Sequence, residues 1–251
     1  ASPFPVCFDV RALADTAREK RKHIFYVNAL GLQDKGKTIY TFAGRAQVFS
    51  ADGIRVLMSP AYTEGMTVVD TESMPAPLTA AKEAPIAPKY RMLRYAVQKF
   101  LERIHMERIV IGISGGIDSA VAAALYVDAI GADKVLLVNM PSQFNSATTK
   151  GLAAQLAENL GCRHMIVPIE ESVAHTVQQL TDVPIMGTAA QAGEHLTISS
   201  FVRENMQARD RSGRVLSAVA AAWGAGFTCN ANKAESTVGY ATLYGDQAGF
   251  L

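Results

Sequence analysis

Residues 109–125, IVIGISGGIDSAVAAAL, join two patterns that predict different secondary structures. An apolar run rich in β-branched residues comes first and predicts a buried strand. An alanine-rich sequence follows it and predicts an α-helix. Free backbone N–H groups at the start of such a helix bind anions such as phosphates. The junction consists of two glycines, one carboxylate and two hydroxyls around an isoleucine: Ser114, Gly115, Gly116, Asp118 and Ser119.

The second part of the chain alternates between predicted strands and predicted helices. The strands are RIVIGI, KVLLVNM and HMIVPI, and the helices are SAVAAALYVDAI, ATTKGLAAQLAENLG and SVAHTVQQL. This alternation is typical of βαβ units, which build a parallel sheet with helices on both faces. We therefore predict an α/β, doubly wound parallel sheet of Rossmann-like type. Ligands bind such sheets beyond the carboxyl ends of the strands, where residues 114–119 stand.

The preceding sequence predicts a smaller domain and a linker. ALADTAREKRK favours a helix, HIFYVNAL favours a strand, and YTFAGRAQVFSADGIRVLMSP favours a hairpin with an Asp-Gly turn. Four prolines then follow in DTESMPAPLTAAKEAPIAPKY, which shows little periodicity. We predict one domain over residues 1–70, a linker over 71–88 and a second domain over 89–251.

Composition excludes several classes of protein. The 251 residues are 49% apolar and 19% charged, which is typical of a soluble globular protein and of no membrane protein. A net charge of +1 without a basic stripe gives no reason to expect a nucleic-acid partner. The cysteines, Cys7, Cys162 and Cys229, show neither a disulfide framework nor metal-ligand spacing, so we expect a cytoplasmic protein.

Asp118 indicates a cation at the predicted anion site. A carboxylate beside a polyphosphate is repelled unless a cation lies between them, and Mg²⁺ binds both kinds of oxygen. The spacing fits neither the Walker loop nor the dinucleotide fingerprint. In the alternative interpretation, Asp118 and Ser119 only cap the helix and the glycines only make a tight turn.

SGGIDS after an apolar strand resembles the pyrophosphate-binding loop of the ATP pyrophosphatases, which include GMP synthetase, asparagine synthetase, tRNA-thiolating enzymes and NAD⁺ synthetase. Three further segments resemble NAD⁺ synthetases in the same order: NMPSQFNS (139–146), ENMQARDR (204–211) and NKAESTVGYATLYGDQAG (232–249). ASPFP, YVNALGLQD and FSADGIRVL resemble the last part of a nitrilase-like glutaminase domain. Together they resemble the family of glutamine-dependent NAD⁺ synthetases.

This resemblance implies a ligase of the adenine nucleotide alpha-hydrolase-like fold. It implies ATP and deamido-NAD⁺ as substrates, Mg²⁺ as cofactor, and ammonia from glutamine as the nitrogen source. The nicotinate carboxylate would attack ATP to give an adenylate and pyrophosphate, and ammonia would then displace AMP. A homodimer or larger homo-oligomer is also implied.

The resemblance implies a role for each matching residue. The pyrophosphate would lie on Ser114, Gly115, Gly116 and Ser119, and the adenine side of ATP beside Met140. Asp118 and Glu235 would bind Mg²⁺ and, with Asp246, form the catalytic set. Deamido-NAD⁺ would contact five residues: Asn205, Arg209, Asn232, Lys233 and Asp246.

Each of these roles has a plainer alternative. Glu235 is also compatible with a solvated helix charge, and Asp246 with a turn residue beside Gly245. Arg209 and Arg211 are compatible with an exposed helix face. The alternative functions are another ATP pyrophosphatase, of the GMP synthetase type, or a nucleotide-binding fragment without turnover.

The chain departs from the family pattern at three positions and at its ends. Asn230 and Ala231 replace a usual Thr-Gly pair, and Gln143 stands where arginine is more usual. The Cys, Glu and Lys of the glutaminase should lie upstream of ASPFP, so Cys7 is interpreted as structural. We expect the sequence to be an internal piece of a longer polypeptide.

Overall fold

A computed structural model describes residues 10–34, 39–79, 83–142 and 147–247. The chain divides into two compact units, Ala1–Arg103 and Ile104–Leu251. The sequence placed the start of the second domain at residue 89, whereas this division follows a helix that contacts strands of the first unit. Within the described ranges, no helix is both long and apolar enough to cross a membrane.

The described residues of the first unit form two helices and two small antiparallel sheets. Strands β1, β4 and β5 form one sheet in the order β1-β4-β5, and β2 pairs with β3. The predicted Asp-Gly hairpin is confirmed, since β4 pairs antiparallel with β5 across a turn in which Gly53 has a φ of 76°. The element bounds are α1 Val10–Lys20, β1 Ile24–Tyr26, β2 Leu30–Asp34, β3 Ile39–Ala43, β4 Gln47–Phe49, β5 Arg55–Met58 and α2 Ala87–Arg103.

Two local predictions in this unit need correction. The segment expected as the first hairpin strand forms two strands, β3 and β4, because Gly44 and Arg45 between them both have positive φ. Positive φ breaks the extended backbone that a strand requires. The predicted linker runs two residues too far, since α2 begins at Ala87 and includes Pro88 in its first turn, where a missing N–H costs nothing.

The second unit is the predicted α/β domain. The four strands found among its described residues are all parallel and lie in the order β8-β7-β6-β9, so the chain crosses over between them. The fold-class prediction is confirmed. The bounds are β6 Ile109–Ile113, α3 Ile117–Ile130, β7 Val135–Asn139, α4 Ala147–Leu160, β8 Arg163–Ile166, α5 Glu170–Asp182, α6 Ser200–Arg209, α7 Ser217–Trp223, β9 Gly226–Phe227 and α8 Lys233–Val238.

The core of this unit explains why the quoted stretch folds as it does. Ile109 and Ile111 of β6 and Leu137 of β7 are fully buried, as expected for a central parallel strand and its neighbour. Val110 packs with Val138 and with apolar residues after α6. Helix α3 buries one face, at positions spaced by about one turn: Ser119, Ala123, Tyr126 and Ala129. Three of these four residues are small, which lets the helix lie close to the sheet.

One irregular element was not predicted. Between α6 and α7 the backbone is π-helical over Asp210–Leu216. π-Helical turns are rare and often occur at functional sites. This segment supplies Val215 and Leu216 to the core and several side chains to the pocket described next.

Candidate active site

A pocket of about 440 Å³ lies at the carboxyl ends of β6, β7 and β9. The carboxyl ends of parallel strands lie at the same edge of the sheet, so residues that follow different strands come close together there. Six of the residues to which the family resemblance assigns a role line this pocket: Ser114, Asp118, Ser119, Met140, Glu235 and Asp246.

The loop between β6 and α3 is held by its own hydroxyl groups. The Ser119 hydroxyl donates to the Gly116 carbonyl at 3.1 Å and accepts from the Ser114 amide at 3.4 Å. The Gly116 amide donates to the Ser114 hydroxyl at 3.1 Å. These bonds fix the loop backbone at the start of α3.

The two glycines of this loop differ in conformation. Gly115 has a φ of 86°, in the region that favours glycine. Gly116 has a φ of −88° and a ψ of 166°, which any residue adopts. Only Gly115 therefore requires glycine for its backbone conformation. A Cβ there would lie 3.2 Å from the Ser114 hydroxyl oxygen.

Asp118 does not act as a helix cap. Gly116 is the N-cap of α3, and no side chain makes a cap hydrogen bond there. Among the described residues, the Asp118 carboxylate has neither a hydrogen bond nor an ion pair. The capping interpretation of Asp118 is thus not supported, while Ser119 does bond to the helix N-terminus.

The Glu235 side chain has two roles: it caps a helix and it lines the pocket. Its Oε2 accepts from the Asn232 amide at 2.8 Å, and the Asn232 side chain accepts from the Glu235 amide at 2.9 Å. This reciprocal pair is a capping box that starts α8. Glu235 also lines the pocket, whereas Asn232 and the exposed Lys233 do not.

The segment around Asp246 is a tight turn at the pocket wall. The Gly245 amide donates to the Thr242 carbonyl at 2.9 Å, and the Asp246 carboxylate accepts from the Thr242 amide at 3.2 Å. Tyr244 has a φ of 60°, a left-handed conformation that is uncommon for a bulky residue. Asp246 therefore both shapes this turn and lines the pocket.

Asn205 and Arg209 hold this turn in place. The Thr242 hydroxyl donates to the Asn205 side chain at 3.0 Å, and Arg209 Nε donates to the Leu243 carbonyl at 3.2 Å. Neither side chain lines the pocket. The structure thus gives both residues a role in positioning the Asp246 turn, and their contact with a substrate stays a prediction.

Substitution of Gly245 with alanine is expected to destabilise the unit by about 1–3 kcal/mol, as overpacking of a tight contact does. An added Cβ would lie 2.9 Å from the Cβ atoms of both Ala208 and Thr242. Chemical denaturation measures the loss. Gly151→Ala, in the interior of α4 with nothing within 4 Å, is the matched control and should stabilise the chain slightly. Equal stability of the two variants would show that the Asp246 turn is loosely packed.

Sequence reasoning missed the role of Arg211. It was grouped with Arg209 on a possible exposed face, but it is half-buried and lines the pocket. Its Nε donates to the Met140 carbonyl at 3.3 Å. A regular helical periodicity does not reveal this placement, because the residue belongs to the π-helical segment.

The departures from the family pattern lie partly within the pocket. The Asn230 side chain donates from Nδ2 to the Gly112 carbonyl at 3.0 Å and accepts at Oδ1 from the Thr228 hydroxyl at 2.9 Å, so it joins the ends of β6 and β9. Ala231 lines the pocket without positive φ. Gln143 lies outside the described residues.

The carboxylates of the pocket suit a metal bound jointly with a substrate. Within the described ranges, no group of three or more His, Cys, Asp or Glu side chains could hold a metal ion. Mg²⁺ commonly takes only one or two protein carboxylates, with phosphate oxygens and waters as its other ligands. Asp118 and Glu235 line the same pocket and fit that donor set.

Comparison with known proteins gives consistent matches. Residues 89–251 match the sequence model of the family described as NAD synthase. The glutamine-dependent NAD(+) synthetase of Rhodobacter capsulatus is 36% identical over 232 residues, which cover 90% of this chain and 39% of that protein. The chain spans less than half the length of this protein and of the glutamine-dependent NAD(+) synthetase of Acinetobacter baylyi.

Solved structures agree in fold. The glutamine-dependent NAD⁺ synthetase of Acinetobacter baumannii, determined in complex with ADP, superposes with a TM-score of 0.85 at 30% identity. That match covers 99% of this chain and 46% of the other. The NH3-dependent NAD synthetase of Campylobacter jejuni has a TM-score of 0.55 at 25% identity, covering 64% of this chain and 63% of the other.

Proposed function

The chain belongs to the NAD synthase family, and we propose that its pocket carries out the ATP-dependent amidation of deamido-NAD⁺ to NAD⁺. One observation carries this proposal. Three residues of the loop, Ser114, Asp118 and Ser119, share a single pocket with Glu235 and Asp246, at the edge of the sheet where ligands bind. The ADP in the A. baumannii relative supports an adenine nucleotide as one occupant.

The proposed reaction has two steps. An oxygen of the nicotinate carboxylate attacks the α-phosphorus of ATP, and pyrophosphate leaves with the bond electrons. Ammonia then attacks the carbonyl carbon of the adenylate, loses a proton, and expels AMP to leave the amide. In both steps a nucleophile displaces a leaving group. The protein contributes by aligning the reacting atoms and by neutralising the charge on the phosphates. We propose that a glutaminase domain supplies the ammonia in the full-length polypeptide.

The residues of the pocket divide between these tasks. Backbone N–H groups and hydroxyls at 114–119 would bind the pyrophosphate at the start of α3, whose dipole favours anions. Asp118 and Glu235 would hold Mg²⁺, which when bound neutralises phosphate charge. Met140 would lie beside the adenine. Deamido-NAD⁺ would be received by Asp246 of the pocket together with four residues that do not line it: Asn205, Arg209, Asn232 and Lys233.

We propose that the chain is divided between a glutaminase domain and a synthetase domain. Residues 1–70 would belong to a nitrilase-like glutaminase domain, 71–88 to a linker and 89–251 to the synthetase domain. A homodimer or larger homo-oligomer is proposed for the full-length protein on the same family resemblance.

A substrate comparison tests the proposed function. The chain is incubated with ATP, Mg²⁺ and an ammonium salt, with either deamido-NAD⁺ or xanthosine monophosphate, and AMP, pyrophosphate and the aminated product are measured. Ammonium is used because it requires no glutaminase chemistry. NAD⁺ formed with equimolar AMP supports the proposal. GMP formation would support the GMP synthetase type instead, and ATP binding without pyrophosphate release would indicate a binding fragment.

Glu235→Gln is expected to weaken Mg²⁺-dependent ATP binding by at least about tenfold, because it removes one of the two charged metal ligands. Glutamine also serves at this position of a capping box, so α8 should keep its N-terminus and the melting temperature should change little. Calorimetric titration with ATP, with and without Mg²⁺, measures the effect. Loss of thermal stability with normal binding of Mg²⁺ and ATP would assign Glu235 to the fold only.

A further inference from the structure

The guanidinium of Arg211 is a cation at the pocket wall with most of its donors unused. Its Nε donates to the Met140 carbonyl at 3.3 Å. Among the described residues, its two terminal nitrogens make no hydrogen bond and no ion pair. The π-helical segment, Asp210–Leu216, directs the side chain to the end of β7, beside Met140.

The Arg211 guanidinium is partly buried, and the nearby carboxylates balance its positive charge only in part. Burial lowers the pKa of the Arg211 guanidinium from its ordinary value, and the nearby carboxylates of Asp246 and Asp210 partly oppose that shift. Arginine nevertheless stays protonated in proteins. Asp210 is already paired with Arg214 at 2.7 Å, outside the pocket, and the Asp246 carboxylate accepts from the Thr242 amide. A partly desolvated cation in this position favours an anionic ligand.

We propose that Arg211 binds a phosphate group of a nucleotide in this pocket through its two terminal nitrogens. The inference rests on the proposed function, since it requires a phosphorylated substrate there. The planar fork of a guanidinium matches two phosphate oxygens at once, which an ammonium does not. Both proposed substrates carry phosphates, so separate titrations with ATP and with deamido-NAD⁺ identify which of them Arg211 receives.

Three variants separate a charge role from a structural one. Arg211→Gln keeps a side-chain donor for the Met140 carbonyl but removes the charge. Arg211→Lys keeps the charge but loses the fork. Arg214→Gln is the matched control, because Arg214 lies in the same segment but pairs with Asp210 and Ser172 and does not line the pocket.

Each variant and the unmodified chain are titrated calorimetrically with ATP and Mg²⁺ and, separately, with deamido-NAD⁺. We expect Arg211→Gln to lose about 10- to 100-fold in affinity for one of the two ligands, as the loss of a charged hydrogen bond does. Arg211→Lys should lie between Arg211→Gln and the unmodified chain. Arg214→Gln should bind both ligands as the unmodified chain does.

Several results would overturn the inference. Unchanged affinity of Arg211→Gln for both ligands would show that no phosphate lies on this side chain. Equal losses for Arg211→Gln and Arg211→Lys, accompanied by equal drops in melting temperature, would assign Arg211 to the fold. In both cases NAD⁺ formation by the unmodified chain would leave the proposed function intact. Binding of neither ligand by the unmodified chain would contradict both proposals.

Discussion

Asp118→Asn is expected to weaken the binding of ATP in the presence of Mg²⁺ by at least about tenfold, because the change removes a charged oxygen ligand of the metal. The shape of the side chain is kept. Asp118 makes no cap hydrogen bond in α3, so no bond that defines the helix is lost. The remaining cost is the attraction between the carboxylate and the helix dipole, at most about 1 kcal/mol. The melting temperature should therefore fall only slightly.

The measurement is a calorimetric ATP titration with and without Mg²⁺, together with a melting curve. Without Mg²⁺, the difference between Asp118→Asn and the unmodified chain should largely disappear. Asp128→Asn removes a carboxylate from the same helix outside the pocket and serves as the control. A variant at Asp118 that melts much earlier but binds Mg²⁺ and ATP normally would show that this carboxylate serves the fold.

Gly115→Val is expected to abolish measurable ATP binding. Gly115 has a φ of 86°, and an L-residue in left-handed backbone costs about 1–2 kcal/mol, with β-branched residues faring worst. The loop would relieve this strain by moving its amides away from their positions at the start of α3. An anion site made of backbone N–H groups depends on those positions.

Gly161→Val controls for backbone strain without a ligand site. Gly161 has a φ of 66° and open space around it, after the end of α4 and away from the pocket. Both variants should lose comparable stability, but only Gly115→Val should lose ATP binding. Normal ATP affinity of a folded Gly115→Val protein would mean that the loop is only a turn.

The sheet was predictable from sequence because its signal is local. Strands β6 and β7 lie within the apolar runs that predicted them, whereas β8 covers only the first half of HMIVPI and ends at Ile166. Even β9, with only Gly226 and Phe227 in the ladder, joins β6 in parallel. Ser114 follows β6 and Glu235 comes after β9. Because the carboxyl ends of parallel strands lie at one edge of the sheet, the two residues line one pocket.

The roles of individual side chains at the site depend on three-dimensional geometry that the spacing of residues in the sequence does not reveal. The capping box between Asn232 and Glu235 follows a known pattern, but a pattern does not say that Glu235 also reaches a pocket. Asn205 and Arg209 bind the backbone and side chain of a turn that lies far along the chain. Arg211 enters the pocket from a π-helical segment, and helical wheels assume a regular helix.

In the proposed reaction, the nicotinate carboxylate is activated as an adenylate in this pocket. Its most direct test uses deamido-NAD⁺ labelled with ¹⁸O in that carboxylate, together with ATP, Mg²⁺ and an ammonium salt, and mass spectrometry of the products. We expect the label to appear in AMP, in an amount equal to the NAD⁺ formed, and pyrophosphate to be unlabelled. Formation of ADP with the label in inorganic phosphate would contradict it.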